Sequence, residues 1–129
     1  MKKLLSLFLI FPTFIFAEDF YLICEGVDEV YVNRDKIENT DTKSIEVSDS
    51  FITFENNKFT VNNDETRYFK RKNELNFSLE RFENKERVTD IYGTIDRVSG
   101  VIHVRSSYMS ENTMKFFNGK CKKTKERAF

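Results

Sequence analysis

Residues 52–61 read Ile-Thr-Phe-Glu-Asn-Asn-Lys-Phe-Thr-Val, two short alternating runs joined by an asparagine pair. Period-two alternation puts the apolar members of a run on one face of a strand. Asn56-Asn57 tolerates the positive φ angles that a two-residue turn demands. The segment therefore predicts a tight hairpin between 52–55 and 58–61. The pattern spreads outward from it. Ile45 and Val47 alternate with Ser44 and Glu46, while Leu75, Phe77 and Leu79 alternate with Asn76, Ser78 and Glu80. Other strand-like runs cover 20–24, 27–32, 51–55, 66–71, 89–97, 101–106 and 113–121, separated by polar breakers at Asn39-Thr-Asp41, Asn62-Asn-Asp64, Asn84 and Ser99-Gly100. The stretch 64–73 holds too few apolar residues for a helix face and reads as strand.

Most gaps between runs are too short for a crossover helix, so sequence neighbours are expected to pair antiparallel. The expectation is an all-β meander of eight or nine strands that curls into a small barrel or a sandwich, which also protects its edges. Composition agrees. From residue 18 onward there are nine Val and seven Ile but only three Leu and one Ala, together with ten Phe and five Tyr. That is the residue economy of sheets. A chain of 129 residues and 15.4 kDa leaves room for one core. It shows no repeat of fixed period and no low-complexity block.

Residues 1–17 place Lys2 and Lys3 before a nearly unbroken apolar run, and Ala17 stands directly before Glu18-Asp19. This is the pattern of a secretory signal peptide. An apolar run of about 13 residues spans only ~20 Å of a ~30 Å hydrocarbon layer, and Pro12 interrupts it, so a membrane anchor is the poorer reading. Cleavage leaves 19 basic against 21 acidic side chains. A formal charge so close to zero predicts no general affinity for nucleic acid or anionic membranes. The expected organisation is a leader at 1–17, a β domain at 18–121 and a basic tail at 122–129, in a protein that is periplasmic or secreted.

Cys24 and Cys121 are the only cysteines. In an oxidising compartment two thiols become one disulfide. Only one pairing exists, and it ties the first strand to the last. The spacing excludes a C-x-x-C redox or zinc motif.

Chemistry-bearing residues are scattered. His103, the single histidine, lies in Val101-Ile-His-Val-Arg105, where Asp96 and Arg105 are its candidate partners along the hairpin. It is expected to be an ordinary sheet residue, because acid–base work by histidine needs an orienting carboxylate and a nucleophile nearby. Asp28-Glu29, Asp49, Glu55, Asp64-Glu65, Glu80, Glu83, Asp90 and Asp96 show no metal-loop spacing. No cofactor and no metal are expected. Asn76-Phe-Ser78 fits a glycosylation acceptor, meaningful only in a eukaryotic secretory route. In Tyr68-Phe-Lys-Arg-Lys72 the simplest strand phase turns Phe69 to the core and leaves Tyr68 and Lys70 in water. Tyr68, Lys70 and Lys72, with Lys122 and Lys123 of the basic end, are the candidate contacts to a partner.

The leader, Cys24-Glu-Gly26, Ile95-Asp-Arg-Val-Ser-Gly100 and Gly119-Lys-Cys121 together resemble a set of small exported bacterial disulfide-bonded β proteins of unknown function. The opening Tyr21-Leu-Ile-Cys24 is similar, more distantly, to that of the periplasmic inhibitors of lysozyme, which are small antiparallel barrels. The first resemblance implies fold and location without activity; the second implies inhibition of an envelope-directed hydrolase. The reading that follows is a non-enzymatic exported module that binds a protein or envelope component. Its alternatives are such an inhibitor, a weak enzyme built on the scattered carboxylates and His103, and an accessory envelope protein with an apolar assembly patch.

Overall fold

The computed structural model describes residues 19–61 and 63–124. The leader and the last five residues of the expected tail lie outside them. Among the described residues there are nine strands: β1 (Phe20–Val32), β2 (Asp35–Val47), β3 (Phe51–Phe54), β4 (Asn57–Thr60), β5 (Thr66–Lys70), β6 (Glu74–Glu83), β7 (Glu86–Asp96), β8 (Val101–Tyr108) and β9 (Thr113–Thr124). They form one antiparallel sheet in the order β4-β3-β2-β1-β9-β8-β7-β6-β5. The ends of that order, β4 and β5, are neighbours in sequence and meet through side chains. Thr60 N–H donates to Thr66 Oγ1 at 3.2 Å, and the two hydroxyls lie 3.1 Å apart. The sheet is thus a nearly closed barrel, and the sandwich alternative does not apply.

The inside of the barrel is filled by alternate residues of every strand: Leu22 and Cys24, Ile45 and Val47, Ile52 and Phe54, Phe59, Tyr68, Leu75, Phe77 and Leu79, Ile91 and Ile95, Ile102 and Val104, Phe117 and Cys121. Phe77 sits at the centre, with ring centroids 4.8 Å from Phe59 and 5.8 Å from Phe54. Gly93 lies directly opposite Phe77 on β7, and a Cβ there would fall 2.2 Å from the ring. Glycine is thus what lets a phenylalanine lie flat across the middle of the sheet. Each such buried ring is worth roughly 2–3 kcal/mol of apolar transfer.

Cys24 and Cys121 face each other across β1 and β9 with Cα atoms 3.9 Å apart, and the disulfide joins first strand to last as expected.

Four local expectations are corrected. The hairpin turn falls on Glu55 and Asn56, with φ of 47° and 66°, one residue earlier than the Asn56-Asn57 pair. The breaker expected at Asn39-Thr-Asp41 is continuous strand, because β1 pairs with β2 along its entire length. Runs 20–24 and 27–32 are one strand through Gly26. Lys122 and Lys123 belong to β9, opposite Ile23 and Leu22, and not to a tail. An Asn33-Arg34 turn that the sequence did not single out uses the same device, with both φ positive.

Candidate functional site

Strand phase decides where each candidate residue goes. On β5 the inward phase is Thr66, Tyr68 and Lys70, since Tyr68 pairs opposite the core residue Phe77. Tyr68 is 1% exposed and Phe69 is 47% exposed, the reverse of the expected orientation. Tyr68 therefore offers nothing to a partner. Its phenol donates to the Ser48 carbonyl at 3.0 Å and stitches β5 to the end of β2.

Burial, helped by Asp49 and opposed by Arg97, pushes the Tyr68 phenol up to about 12. Because the folded value is raised above the ordinary 10.0, the fold is favoured below that value. The advantage drains away as pH rises towards 12. Denaturation midpoints of the wild type are expected to fall across this alkaline window, and Tyr68→Phe is expected to flatten that part of the profile. An unchanged slope in the variant would place the effect elsewhere.

Lys70 is in the same inward phase, at the barrel end, and converges there with Lys123. Both ammonium groups approach the ring of Phe20, Lys123 at 4.4 Å and Lys70 at 5.9 Å, within cation–π range. Lys70 also pairs with Asp49 at 2.6 Å. Beside Phe20 opens a cleft of about 290 Å³. Leu22, Leu75, Ile95 and Cys121 floor it, and the β7–β8 turn forms its lip. Asp96 holds that turn: its carboxylate accepts the N–H groups of Val98 at 2.8 Å and Ser99 at 3.0 Å, which keep the carboxyl below its ordinary value. Gly100, at φ +83°, closes it because a side chain would strike the Cys121 carbonyl. Arg97 reaches across to the Arg71 carbonyl at 2.6 Å, which brings the exposed loop carrying Lys72 to the same rim. Val98, 83% exposed, tops the lip.

Of the five candidate contacts, Lys70, Lys72 and Lys123 therefore share one end of the barrel. Lys122 lies on the outer wall and Tyr68 is buried.

At the other end the structure assembles a group whose centre the sequence did not single out. Lys43 belongs to the inward phase of β2, with Ile45 and Val47, and is 8% exposed. Its ammonium donates to Glu55 at 2.7 Å and to Asp41 at 3.1 Å, and pairs with Asp28 at 3.1 Å. The rings of Phe117 and Phe54 lie 5.0 and 5.8 Å away. Burial alone would lower the lysine, but the three carboxylates outweigh it and raise it. Burial raises Asp28 despite Lys43, whereas the Lys43 hydrogen bond lowers Asp41. A lysine held protonated has no lone pair to offer, so this cluster is suited to holding β2, β1 and the β3–β4 turn together and not to nucleophilic chemistry. Extending the Ile45–Val47 alternation back by two residues was the signal that pointed inward at position 43.

His103 is exposed on the outer face, and its Nδ1 lies 2.5 Å from the Asn118 side-chain oxygen. Its partner is an amide. Asp96 is committed to its turn, and Arg105 pairs with Asp90 at 3.6 Å. The two candidate partners of His103 therefore make their own separate contacts. Among the described residues no group of three or more His, Cys, Asp or Glu is arranged to hold a metal ion, and no helix is long and apolar enough to cross a membrane. Compared with protein-family models, curated proteins and solved structures, the chain gives no match.

Proposed function

We propose that the chain is an exported, non-catalytic binding module that recognises an acidic protein or envelope component through the Phe20 end of its barrel. The observation that carries this reading is the convergence of Lys70 and Lys123 on Phe20 beside an open, apolar-floored cleft. Rings beside cations at a cleft offer apolar contact and charge to the same ligand. The opposite end is self-satisfied, since its one buried cation already has three carboxylates. Export is supported by the leader pattern and by a disulfide of the kind that persists in oxidising compartments.

A photo-crosslinking residue placed at Val98 in intact cells tests the reading. A discrete adduct is expected from Val98 and not from Phe82, an exposed residue on β6. Lys70→Glu with Lys123→Glu should abolish it. Equal labelling from both positions, or an adduct indifferent to the charge reversal, would refute the assignment. Inhibition of a hydrolase is the second reading, favoured by the protruding Val98 lip. Lysozyme that turns over cell walls at full rate in an excess of the protein would remove lysozyme as its target.

A further inference from the structure

β2 is longer than the cover it receives. β1 pairs with it from Asp35 to Val47, whereas β3 meets it only at Val47–Ile52. Among the described residues no strand lies beside 35–42 on the side away from β1. In an antiparallel ladder successive residues turn their N–H and C=O groups to opposite neighbours. The Glu46 N–H reaches Thr53 of β3 at 3.0 Å, so the even-numbered residues are those that face away from β1. The backbone groups of Lys36, Glu38 and Thr40 therefore line an unpaired edge.

We infer that this edge pairs with the same edge of a second copy of the chain, antiparallel about a two-fold axis at Ile37. Such an axis keeps the inner faces of both barrels on one side, so opposed residues must share a face and the axis must pass through a residue. An axis at Glu38 sets glutamate against glutamate, and one at Asn39 sets Ile37 against Asp41. The axis at Ile37 sets Lys36 against the second copy's Glu38, twice by symmetry, and opposes the two Ile37 side chains. Ile37 is 55% exposed, and its neighbour on β1 is Val30. Pairing thus joins a Val–Ile–Ile–Val strip on the inner face.

The charge pattern within one chain also favours a second lysine there. Glu38 lies directly opposite Glu29 on β1, a like-charged pair. Both lean on the same Lys36, at 3.3 Å from Glu29 and 3.7 Å from Glu38. The second copy's Lys36, placed against Glu38, relieves that shortage. A single edge pair buries little area, so the association is weak and concentration-dependent.

Sedimentation of the purified protein over a wide concentration range tests this, with circular dichroism and disulfide content confirming the fold of each variant. A reversible dimer is expected. Lys36→Glu and Glu38→Lys, each placing like charges together twice, should weaken it at least roughly tenfold, which corresponds to about 1.4 kcal/mol. The double exchange should restore it, and Ile37→Lys should abolish it. A wild type that stays monomeric throughout, meaning that the charges serve only to blunt the edge, would overturn the inference. So would single variants that dimerise normally, or a double exchange that fails to rescue.

Discussion

Replacing both Cys24 and Cys121 with alanine is expected to lower the thermal midpoint by roughly 20 °C and to cost about 4 kcal/mol at neutral pH. The cysteines are 97 residues apart in sequence, so the crosslink spans almost all of the described barrel. In the chain-entropy account a loop of about 100 residues removes some 4.7 kcal/mol of freedom from the unfolded chain. Residual structure in the unfolded state reduces that figure. The bond also lies at a topological seam, because β1 and β9 are the first and last strands and lie next to each other in the sheet. Without it, the pairing of β1 with β9 depends on the closing of the longest loop in the molecule, which is slow and entropically costly. Cys24 is fully buried, so alanine also forfeits packing at the core. Thermal melts of the oxidised wild type, the same protein in excess reductant and the double alanine variant are the measurement. The reduced wild type and the variant should both lose most of the stability. A loss of only a few degrees in both would show that sheet pairing alone holds the ends together.

The parts of this fold that were legible in the sequence are those in which one face is apolar and the other polar. Ile45 with Val47, and Leu75 with Phe77 and Leu79, announce both strand and phase because a slip of one residue would put their side chains in water. The disulfide was legible because two cysteines have one way to pair. Where both faces are polar the signal vanishes. In 35–42 nothing is buried, and Asn39-Thr-Asp41 imitates a turn, yet β1 carries β2 straight through it. Where both faces carry a ring the signal is ambiguous. Tyr68-Phe69 offers two phases, and the one adopted puts the phenol where the Ser48 carbonyl needs a donor. Phe69 is left outside beneath Arg71, 5.2 Å away. The turn at Glu55-Asn56 was displaced by one residue because Asn57 was needed as the partner of Phe54. The candidate site was half legible. Lys70 stands out as a cation beside Tyr68 and Phe69, and Lys123 as part of a basic end, but their meeting at Phe20 depends on barrel closure, which brings β5 and β9 to one end.

Lys43→Met is expected to cost about 3 kcal/mol at neutral pH, as breaking one side of a buried ion pair does, and to strengthen the gain that the fold makes on mild acidification. In the wild type two terms oppose each other. Asp41, held below its ordinary value by Lys43, stabilises the fold above the unfolded value of 3.8, and that contribution is lost as pH falls through its lowered folded value. Asp28, raised by burial, works in the other direction. The favour that folding shows to its protonated form is present below 3.8 and is lost as pH climbs through the raised folded value. The two act on opposite sides of 3.8, Asp41 below it and Asp28 above it, so between pH 5 and 7 only Asp28 shapes the wild-type profile, favouring the fold slightly as the solution is acidified. Methionine preserves most of the length and apolar bulk of lysine beside Phe54 and Phe117, but it removes the one cation that the cluster shares. Asp28 and Asp41 then lose their cation while facing one another beside Glu55, and like charge drives both upward. Each now folds more easily protonated, so the variant should gain stability relative to wild type as pH falls from 7 towards 5. Urea denaturation at both values checks this, and Asp28→Asn provides the cycle. Asparagine alone should cost little, because Glu55 and Asp41 still hold the lysine. In the Lys43→Met background it should restore part of the loss by removing the most buried of the unpaired charges. If the penalty for Lys43→Met is the same at both pH values, and Asp28→Asn adds to it instead of relieving it, then the lysine contributes packing and cation–π contact alone. The carboxylates around it would then be bystanders.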